Sequence, residues 1–324
     1  MAAEAGSLEW LKRWDGRIRY WSGMFAGTSY FHQPQGLGLR FSGSKLGGYF
    51  NDLTGKAQWT GPCDPEGLPL LTLSNGSRIL FPIMLCQKAL GHWDLWMIRS
   101  REEDRKSFLG VARWLREKQD ASGGWDTWSA FGKAPLYRYS AMTQGQALSV
   151  LSRAYSLTGE DVYEHSCRRA LELMSKPVQD GGVCHYEDRE VILEEFPAHE
   201  RDTVLNGWLF AIFGLHDFLL AFRDEKTRAF YEATRASVSR SLEQFDAGYW
   251  SYYSSETRRL ASPFYHRLHL SQLDALALIT DDERVRSLKA VWSRCEADSL
   301  CKSKALMVKA IQKLHEAPQI THMN

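Results

Sequence analysis

From about residue 80 onward, the apolar residues recur at the spacing of one face of a helix. In one such stretch, Leu148, Leu151 and Tyr155 follow one another at intervals of three and four residues. Ser140 precedes this stretch as a candidate N-cap, and Gly159 follows it where a helix would end. The pattern predicts a mainly α fold, with helices over about 80–98, 103–119, 141–157, 161–175, 203–221, 225–244, 267–279, 284–294 and 299–315.

The predicted helices alternate between two kinds. Residues 203–221 are apolar nearly all round, as expected of a buried helix, whereas residues 225–244 carry many charges and would lie outside. Such pairs repeat at about 50–60 residues, and an α/α toroid is built from inner and outer helices in this way. Residues 79–324 are therefore predicted to form an incomplete α/α toroid of about four helical hairpins.

Residues 1–78 differ from the rest, and we expect them to form a small N-terminal segment. Residues 8–21 have the pattern of an amphipathic helix. Beyond them, Gly and Pro occur at short intervals, which favours short strands and turns. Asn75–Gly76 has the sequence of a tight turn.

Three loops of about 20 residues follow successive helix pairs, at 120–139, 179–201 and 245–267. Loops of this length within compact domains are usually functional. Equivalent positions in a toroid would bring all three to one mouth. We therefore expect a cleft lined by aromatic side chains of these loops: Trp125, Trp128, Tyr186, Tyr249, Trp250, Tyr252, Tyr253 and Tyr265.

The composition narrows the class of function. The chain has 40 Lys and Arg against 39 Asp and Glu, and this balance excludes a strongly basic nucleic-acid binder. No apolar run reaches the roughly 20 residues of a membrane span. No secretory signal is visible, so we expect a cytoplasmic protein, with a piece of a longer protein as the alternative. The many aromatic residues (12 Trp, 13 Tyr and 15 Phe) suit stacking on sugar rings, although most aromatics fill cores.

The loops also supply groups for acid–base and anion-binding chemistry. They contain Glu194 and Glu195, several phenols, histidines and arginines, and arginine among aromatics suggests an anionic sugar. The sequence has no P-loop, no dinucleotide-binding glycine motif, no nucleophile elbow and no HExxH, so we predict neither a cofactor nor a metal. Each candidate residue taken singly also has an ordinary structural explanation, such as a solvated carboxylate pair.

Taken in order, several stretches resemble a known family. They are SAMTQGQALSVLSRAYSLTG (140–159), LEEFPAHERDTVLNGWLFAIFGLHDF (193–218), WSYY (250–253) and PFYHRLHLSQLDAL (263–276). Together they look like the C-terminal domain of D-glucuronyl C5-epimerases. Upstream, YFNDLTGKAQWTGPCDPEGLPLL (49–71) is similar to the lead-in of shorter, bacterial-type members.

The resemblance implies roles for individual residues. The family's acidic loop has a catalytically important Glu, which matches Glu195, and a Tyr, which is replaced by Phe196. Its second tyrosine matches Tyr253, with Tyr252 as the alternative, and its third matches Tyr265. We predict Tyr265, Glu195 and Tyr253 as catalytic residues. Substrate contacts are predicted for residues that the family keeps or that lie at the same mouth: Arg259, Arg267, Asn206, His266, His269, Gln272, Tyr252, Trp250, Trp125 and Gln144.

The implied reaction inverts C5 of a D-glucuronate residue to L-iduronate in a heparosan-like or other uronate-containing glycan. It needs one group to remove the C5 proton and a second group to return a proton on the opposite ring face. A phenol starts near pKa 10, so Tyr265 would need a nearby cation, for which Arg267 or Arg258 is a candidate. Glu195 would act on the other face if burial raised its pKa.

Three alternatives stay open at this point. A uronan lyase shares the proton abstraction at C5, and a glycoside hydrolase could pair Glu195 with Glu200 or Asp126. A sugar-binding relative without catalysis is the third alternative, because Phe196 lacks the family hydroxyl. A homodimer is an assembly that the sequence also leaves open.

Overall fold

The computed structural model describes residues 30–315, so the predicted helix over residues 8–21 lies outside the described residues. The mainly α fold is confirmed. Nine α-helices occur within the described range: α1 Pro82–Arg99, α2 Glu102–Lys118, α3 Ala141–Thr158, α4 Asp161–Met174, α5 Leu205–Ala221, α6 Glu225–Ser241, α7 Pro263–Ile279, α8 Glu283–Ala297 and α9 Ser299–His315. None of these helices is long and apolar enough to cross a membrane.

The largest difference from the predicted helix bounds lies at the start of α7. The sequence pattern placed this start at residue 267, whereas the helix begins at Pro263. Proline is well suited to the first helical position, because its missing N–H would have no partner there. Ser262 is the N-cap, and its Oγ accepts a hydrogen bond from the Tyr265 N–H at 3.4 Å. Tyr265 therefore lies in the first turn of a helix and not in a loop.

Consecutive helices pack as four hairpins within the described range: α1 with α2, α3 with α4, α5 with α6, and α7 with α8. Their short connections make the partners antiparallel. Helices α3 and α5 are buried along most of their length and pack against each other, whereas α2, α4 and α6 bury one face. The predicted alternation of inner and outer helices is confirmed for these five. Closure of the inner helices into a toroid stays a prediction.

Two glycines explain how closely α3 and α5 approach. A Cβ atom on Gly145 would lie 2.5 Å from the Ala211 Cα, and one on Gly214 would lie 2.5 Å from the Gly145 carbonyl carbon. Side chains at these positions would force the two backbones apart. The glycine of the sequence MTQGQ is therefore a packing residue at this crossing.

Two small antiparallel sheets accompany the helices in the described part of the chain. Strands β1 (Leu71–Thr72) and β2 (Arg78–Ile79) form a hairpin, and the predicted turn at Asn75–Gly76 is confirmed by the positive φ of Gly76, 82°. Strands β3 (Cys184–Glu187) and β4 (Glu190–Leu193) form the second hairpin. The sequence pattern treated this second region as part of a loop, so that prediction was incomplete.

The N-terminal segment shares the core of the helices. The side chains of Tyr49 and Phe50 are fully buried against it. Arg153 on α3 donates to both carboxylate oxygens of Asp217 on α5, at 2.6 and 3.2 Å, and also to the Gly48 carbonyl at 3.2 Å. This buried ion pair fixes the segment against two inner helices. A domain boundary at residue 78 stays a prediction.

Candidate active site

Glu195 follows β4 and lies against the first turn of α5. Its side chain is buried, and the Asn206 Nδ2 donates to its Oε2 at 3.3 Å. A Cβ on Gly207 would lie 2.5 Å from the Glu195 Cβ and 3.0 Å from its carboxyl carbon, so the carboxyl occupies the space left by this glycine. The Trp128 indole N–H donates to the Glu195 carbonyl at 2.8 Å. Trp128 thus fixes the backbone of Glu195, whereas Asn206 and the space at Gly207 place its carboxyl at the N-terminus of α5.

The surroundings of Glu195 favour its protonated form. Burial raises the pKa of Glu195 from 4.5 to about 8, and the neighbouring Glu194 adds to this rise. The Arg259 guanidinium and the Asn206 hydrogen bond oppose it. Burial also raises the pKa of Glu194 to about 7, although Thr203 donates to its carboxylate at 2.6 Å. At neutral pH, Glu195 can therefore hold a proton, as a general acid must.

Phe196 stands where the family has a tyrosine, and its ring is used for packing. The ring is partly buried and stacks on the Trp128 indole, with centroids 4.5 Å apart and an interplanar angle of 28°. The Trp128 indole therefore holds the acidic loop through two contacts, this stack and its hydrogen bond to the Glu195 carbonyl.

The two predicted catalytic tyrosines lie in contact. The rings of Tyr253 and Tyr265 are 4.7 Å apart at an interplanar angle of 62°, and both are partly buried. The Tyr253 carbonyl accepts from the N–H of Leu205, the first residue of α5, at 3.2 Å. The tyrosine pair is therefore tied to the helix end that holds Glu195. His32 of the N-terminal segment lies edge-on to the Tyr265 ring, with centroids 5.9 Å apart.

The two predicted anion-binding arginines have different surroundings. The Arg259 guanidinium lies 5.5 Å from the centroid of the Tyr253 ring and forms an ion pair with Asp202 at 3.4 Å. It also acts electrostatically on Glu195. Arg267 is exposed and pairs with Glu296 on α8 at 3.5 Å. Of these two arginines, Arg259 is therefore the one close to Tyr253 and Glu195.

Four predicted substrate-binding residues make hydrogen bonds within the protein. The Ser251 hydroxyl lies 2.8 Å from His266 Nδ1 and 2.9 Å from His269 Nδ1. The Gln272 Nε2 donates to the carbonyl of Asn206 at 3.0 Å and so joins α7 to α5. His266, His269 and Gln272 have no exposed surface. Their direct contact with a sugar stays a prediction, whereas their contacts with the neighbouring loop and helix are part of the structure.

The predicted aromatic cleft is divided between the core and the surface. The indole N–H groups of Trp125 and Trp250 donate to the Leu115 and Ala261 carbonyls, and both rings are buried. Gln144 is also fully buried, with its amide donating to two backbone carbonyls. Tyr252 is partly buried, as are Tyr249 and the two contacting tyrosines, whereas Tyr186 is exposed. Sugar contact by these side chains stays a prediction.

Comparison with known proteins gives the family. Residues 119–294, more than half of the chain, match the sequence family described as D-glucuronyl C5-epimerase C-terminus. The chain belongs to this family. It is 30% identical over 216 residues to a Caenorhabditis elegans protein named D-glucuronyl C5-epimerase, covering 59% of this chain and 35% of that protein. An uncharacterized Methanocaldococcus jannaschii protein is 29% identical over 158 residues, covering 46% of this chain and 51% of the relative.

The chain thus spans about a third to a half of the length of these two curated relatives. The family resemblance inferred from the sequence motifs is confirmed, and it supports an epimerase at the level of the family. Every predicted site residue lies within residues 119–294, the part of the chain that matches the family. Within the described residues, no group of three or more His, Cys, Asp or Glu side chains is arranged to hold a metal ion.

Sequence reasoning did not identify some residues that shape this site. Gly207 leaves space for the Glu195 carboxyl, Ser251 joins two histidines, and His32 lies against Tyr265. Gly207 belongs to the VLNG motif and Ser251 to the WSYY motif, so the sequence did point to their neighbourhood. His32 lies outside every quoted motif and carried no signal.

Proposed function

We propose that this protein inverts C5 of D-glucuronate residues to L-iduronate in a uronate-containing poly- or oligosaccharide. Membership of the epimerase family supports the reaction class. The observation that carries the assignment to this site is Glu195, a buried carboxyl whose pKa rises to about 8 at one end of a helix tied to a tyrosine pair.

Tyr265 and Glu195 act as the two acid–base groups, on opposite faces of the sugar ring. In one direction, the Tyr265 phenolate takes the C5 proton and the C5–H bonding electrons delocalise into the adjacent carboxylate. Glu195 then gives its proton to C5 from the other face, and the products are a neutral Tyr265 and a Glu195 carboxylate. The reverse direction uses the same groups with their roles exchanged, so no other proton donor is needed.

The raised pKa of Glu195 is useful in this exchange. A free glutamic acid and a free phenol differ by nearly six pKa units, so a proton would rest almost entirely on the phenol. With Glu195 at about 8, the difference from an ordinary phenol near 10 falls to about two units. The state with the proton on Glu195 and the state with the proton on Tyr265 then differ little in free energy. Both are populated, so the enzyme can react with either epimer of the substrate.

Arg259 is the candidate partner of the substrate carboxylate. Its guanidinium lies beside Tyr253 and acts on Glu195, and its Asp202 ion pair is partly exposed. A guanidinium at this position would neutralise the charge that collects on the uronate carboxylate when C5 loses its proton. Tyr253, in contact with Tyr265, is a second phenol available for orienting the ring.

Incubation with uronate polymers in D₂O, beginning with heparosan-like chains, tests this proposal. Deuterium at C5 in an intact chain, with iduronate among the products, is the expected result. A 4,5-unsaturated chain end would indicate a lyase, and a new reducing end without exchange would indicate a hydrolase. Binding of the polymer without any of these changes would indicate a non-catalytic relative, and each of these three outcomes would refute the epimerase.

A further inference from the structure

Ser251 is the centre of a buried hydrogen-bond network between the loop that precedes α7 and α7 itself. Its hydroxyl lies within hydrogen-bond distance of the Nδ1 atoms of His266 and His269, at 2.8 and 2.9 Å. Its backbone N–H also donates to His266 Nδ1 at 3.2 Å. All three side chains are fully buried. The two histidines are three residues apart, so they lie on one face of the helix.

These distances determine where the protons are. Burial lowers the pKa of His266 to about 3 and that of His269 well below its ordinary value, so both rings are neutral. Since the Ser251 N–H donates to His266 Nδ1, this atom is an acceptor and the proton of His266 is on Nε2. The single hydroxyl proton of Ser251 then points to His266. His269 must therefore carry its proton on Nδ1 and donate it to the Ser251 oxygen.

The same network joins the two chain segments that carry the candidate catalytic tyrosines. Ser251 precedes Tyr253 by two residues, and His266 directly follows Tyr265. The His266 ring also stacks on Trp250, the residue before Ser251, with centroids 3.7 Å apart and an interplanar angle of 16°. A loop and a helix that meet through one hydroxyl, two imidazoles and a stacked indole have little freedom to slide.

We propose that Ser251, His266 and His269 form a clamp that positions Tyr253 and Tyr265 relative to each other, and that the two histidines do not touch the sugar. The role in catalysis rests on the proposed function. The clamp residues are positioning residues: removing one would leave the phenols present but badly aligned. The expected loss is in the rate of proton transfer, and substrate affinity should change little, because the groups that bind the substrate remain.

The order of the protons is tested without substrate. The protein labelled with ¹⁵N in its histidines is examined by long-range ¹H–¹⁵N NMR, which separates the two neutral tautomers of each ring. His266 should have its proton on Nε2 and His269 on Nδ1. Ser251→Ala should abolish this difference in tautomer between the two rings. Two rings in the same tautomer, or rings protonated near pH 7, would overturn the clamp even if the protein proved to have no epimerase activity.

The positioning role is tested by steady-state kinetics of C5 exchange. Ser251→Ala should lower kcat on the order of 10²-fold, the effect of a small misplacement of reacting groups, with KM within about threefold of the native value. Ser271→Ala is the matched control, because Ser271 is also buried on α7 and donates to the Gln35 carbonyl at 3.0 Å. It should leave kcat nearly unchanged at a comparable loss of stability.

A pair of variants at His269 separates positioning from simple space filling. His269→Asn keeps an N–H donor near the Nδ1 position and should retain most of kcat, whereas His269→Leu fills similar space without a donor and should match Ser251→Ala. If Ser251→Ala fails to fold, this pair and the tautomers decide the question. A native kcat in His269→Leu would refute the clamp. A loss that appears in KM alone would also refute it and would indicate direct contact of these residues with the sugar.

Discussion

Replacing Gly207 by alanine adds one methyl group directly against the Glu195 carboxyl. Gly207 lies in the first turn of α5, and a Cβ there would be 2.5 Å from the Glu195 Cβ and 3.0 Å from its carboxyl carbon. Contacts this short require that one of the two residues moves. The backbone at Gly207 belongs to an inner helix, so Glu195 is the residue that must give way, and the acidic loop moves with it because the Glu195 Cβ is fixed to the backbone.

The expected magnitudes follow from two opposing effects. Alanine favours a helix by up to about 1 kcal/mol over glycine, whereas an additional methyl in a packed site destabilises by about 1–3 kcal/mol. We therefore expect a small net loss of stability. The loss of activity should be larger, about 10²-fold or more in kcat, because a displaced carboxyl can no longer exchange a proton with C5. Because burial is what raises the pKa of Glu195, a displaced and more exposed carboxyl should have a lower pKa.

The assay is deuterium incorporation at C5 in D₂O, together with thermal unfolding and a pH–rate profile. Gly110→Ala is the control, because Gly110 lies in α2 with open space where a Cβ would be. This variant should be more stable by up to about 1 kcal/mol and fully active. Native exchange rates in Gly207→Ala, with an unchanged acidic limb in the pH profile, would show that the Glu195 carboxyl is not the proton-exchanging group.

Four further predictions concern the same site. Tyr265→Phe should lower C5 exchange about 10²–10⁴-fold with nearly unchanged thermal stability, because only a hydroxyl is lost. Phe196→Tyr should keep its stack on Trp128 and remain at least as active in the same assay. Arg259→Ala should raise KM and reduce the dependence of KM on salt, whereas Arg267→Ala should change neither. The free energy of unfolding should fall as pH rises from about 5 to about 8, because Glu195 keeps its proton up to about pH 8 in the folded protein and loses it at lower pH in the unfolded chain. Urea titrations across this pH range should show a weaker fall in Glu195→Gln.

The helices could be predicted from the sequence because their signal is local. Apolar spacing predicts α3, and the helix ends at Gly159 as expected. Ser140 takes the N-cap position, although its hydroxyl makes no capping hydrogen bond and the Ala141 N–H donates to the Glu194 carbonyl. The start of α7 was missed because Pro263 and the aromatic residues after it have no helical periodicity of their own. Its first turn is specified by the Ser262 cap and by burial of Phe264 in the core.

The β3–β4 hairpin was missed for a different physical reason. A strand is recognised in a sequence when buried and exposed residues alternate. Here the hairpin is buried at its base, at Cys184 and Leu193, and exposed toward its tip, near Glu187. Burial follows the distance from the turn and not the face of the sheet, so the two-residue period is absent.

The candidate site was predicted in its residue types and only partly in its contacts. Motif order placed Glu195, Tyr253 and Tyr265 in one site, and the contact of the two tyrosines agrees with it. The histidines of α7 were assigned to the sugar because they match the histidines of the family's motif. The sequence alone cannot tell whether a buried histidine contacts a ligand or hydrogen-bonds Ser251, because either role requires a histidine at the same position of the motif.

A raised pKa does not by itself mark a catalytic carboxyl in this protein. Burial also raises the pKa of Asp94 to about 7, but Asp94 accepts a hydrogen bond from the Tyr49 N–H at 2.9 Å and joins the N-terminal segment to α1. Asp217 is likewise buried and has a structural partner, the bidentate Arg153. Glu195 differs from both: within residues 30–315, its carboxyl has no ion-pair partner within 4 Å and one long hydrogen bond from Asn206. A buried acid without an ion-pair partner is costly to bury. Together with the nearby Arg259 guanidinium, this cost supports the proposal that Glu195 exchanges a proton.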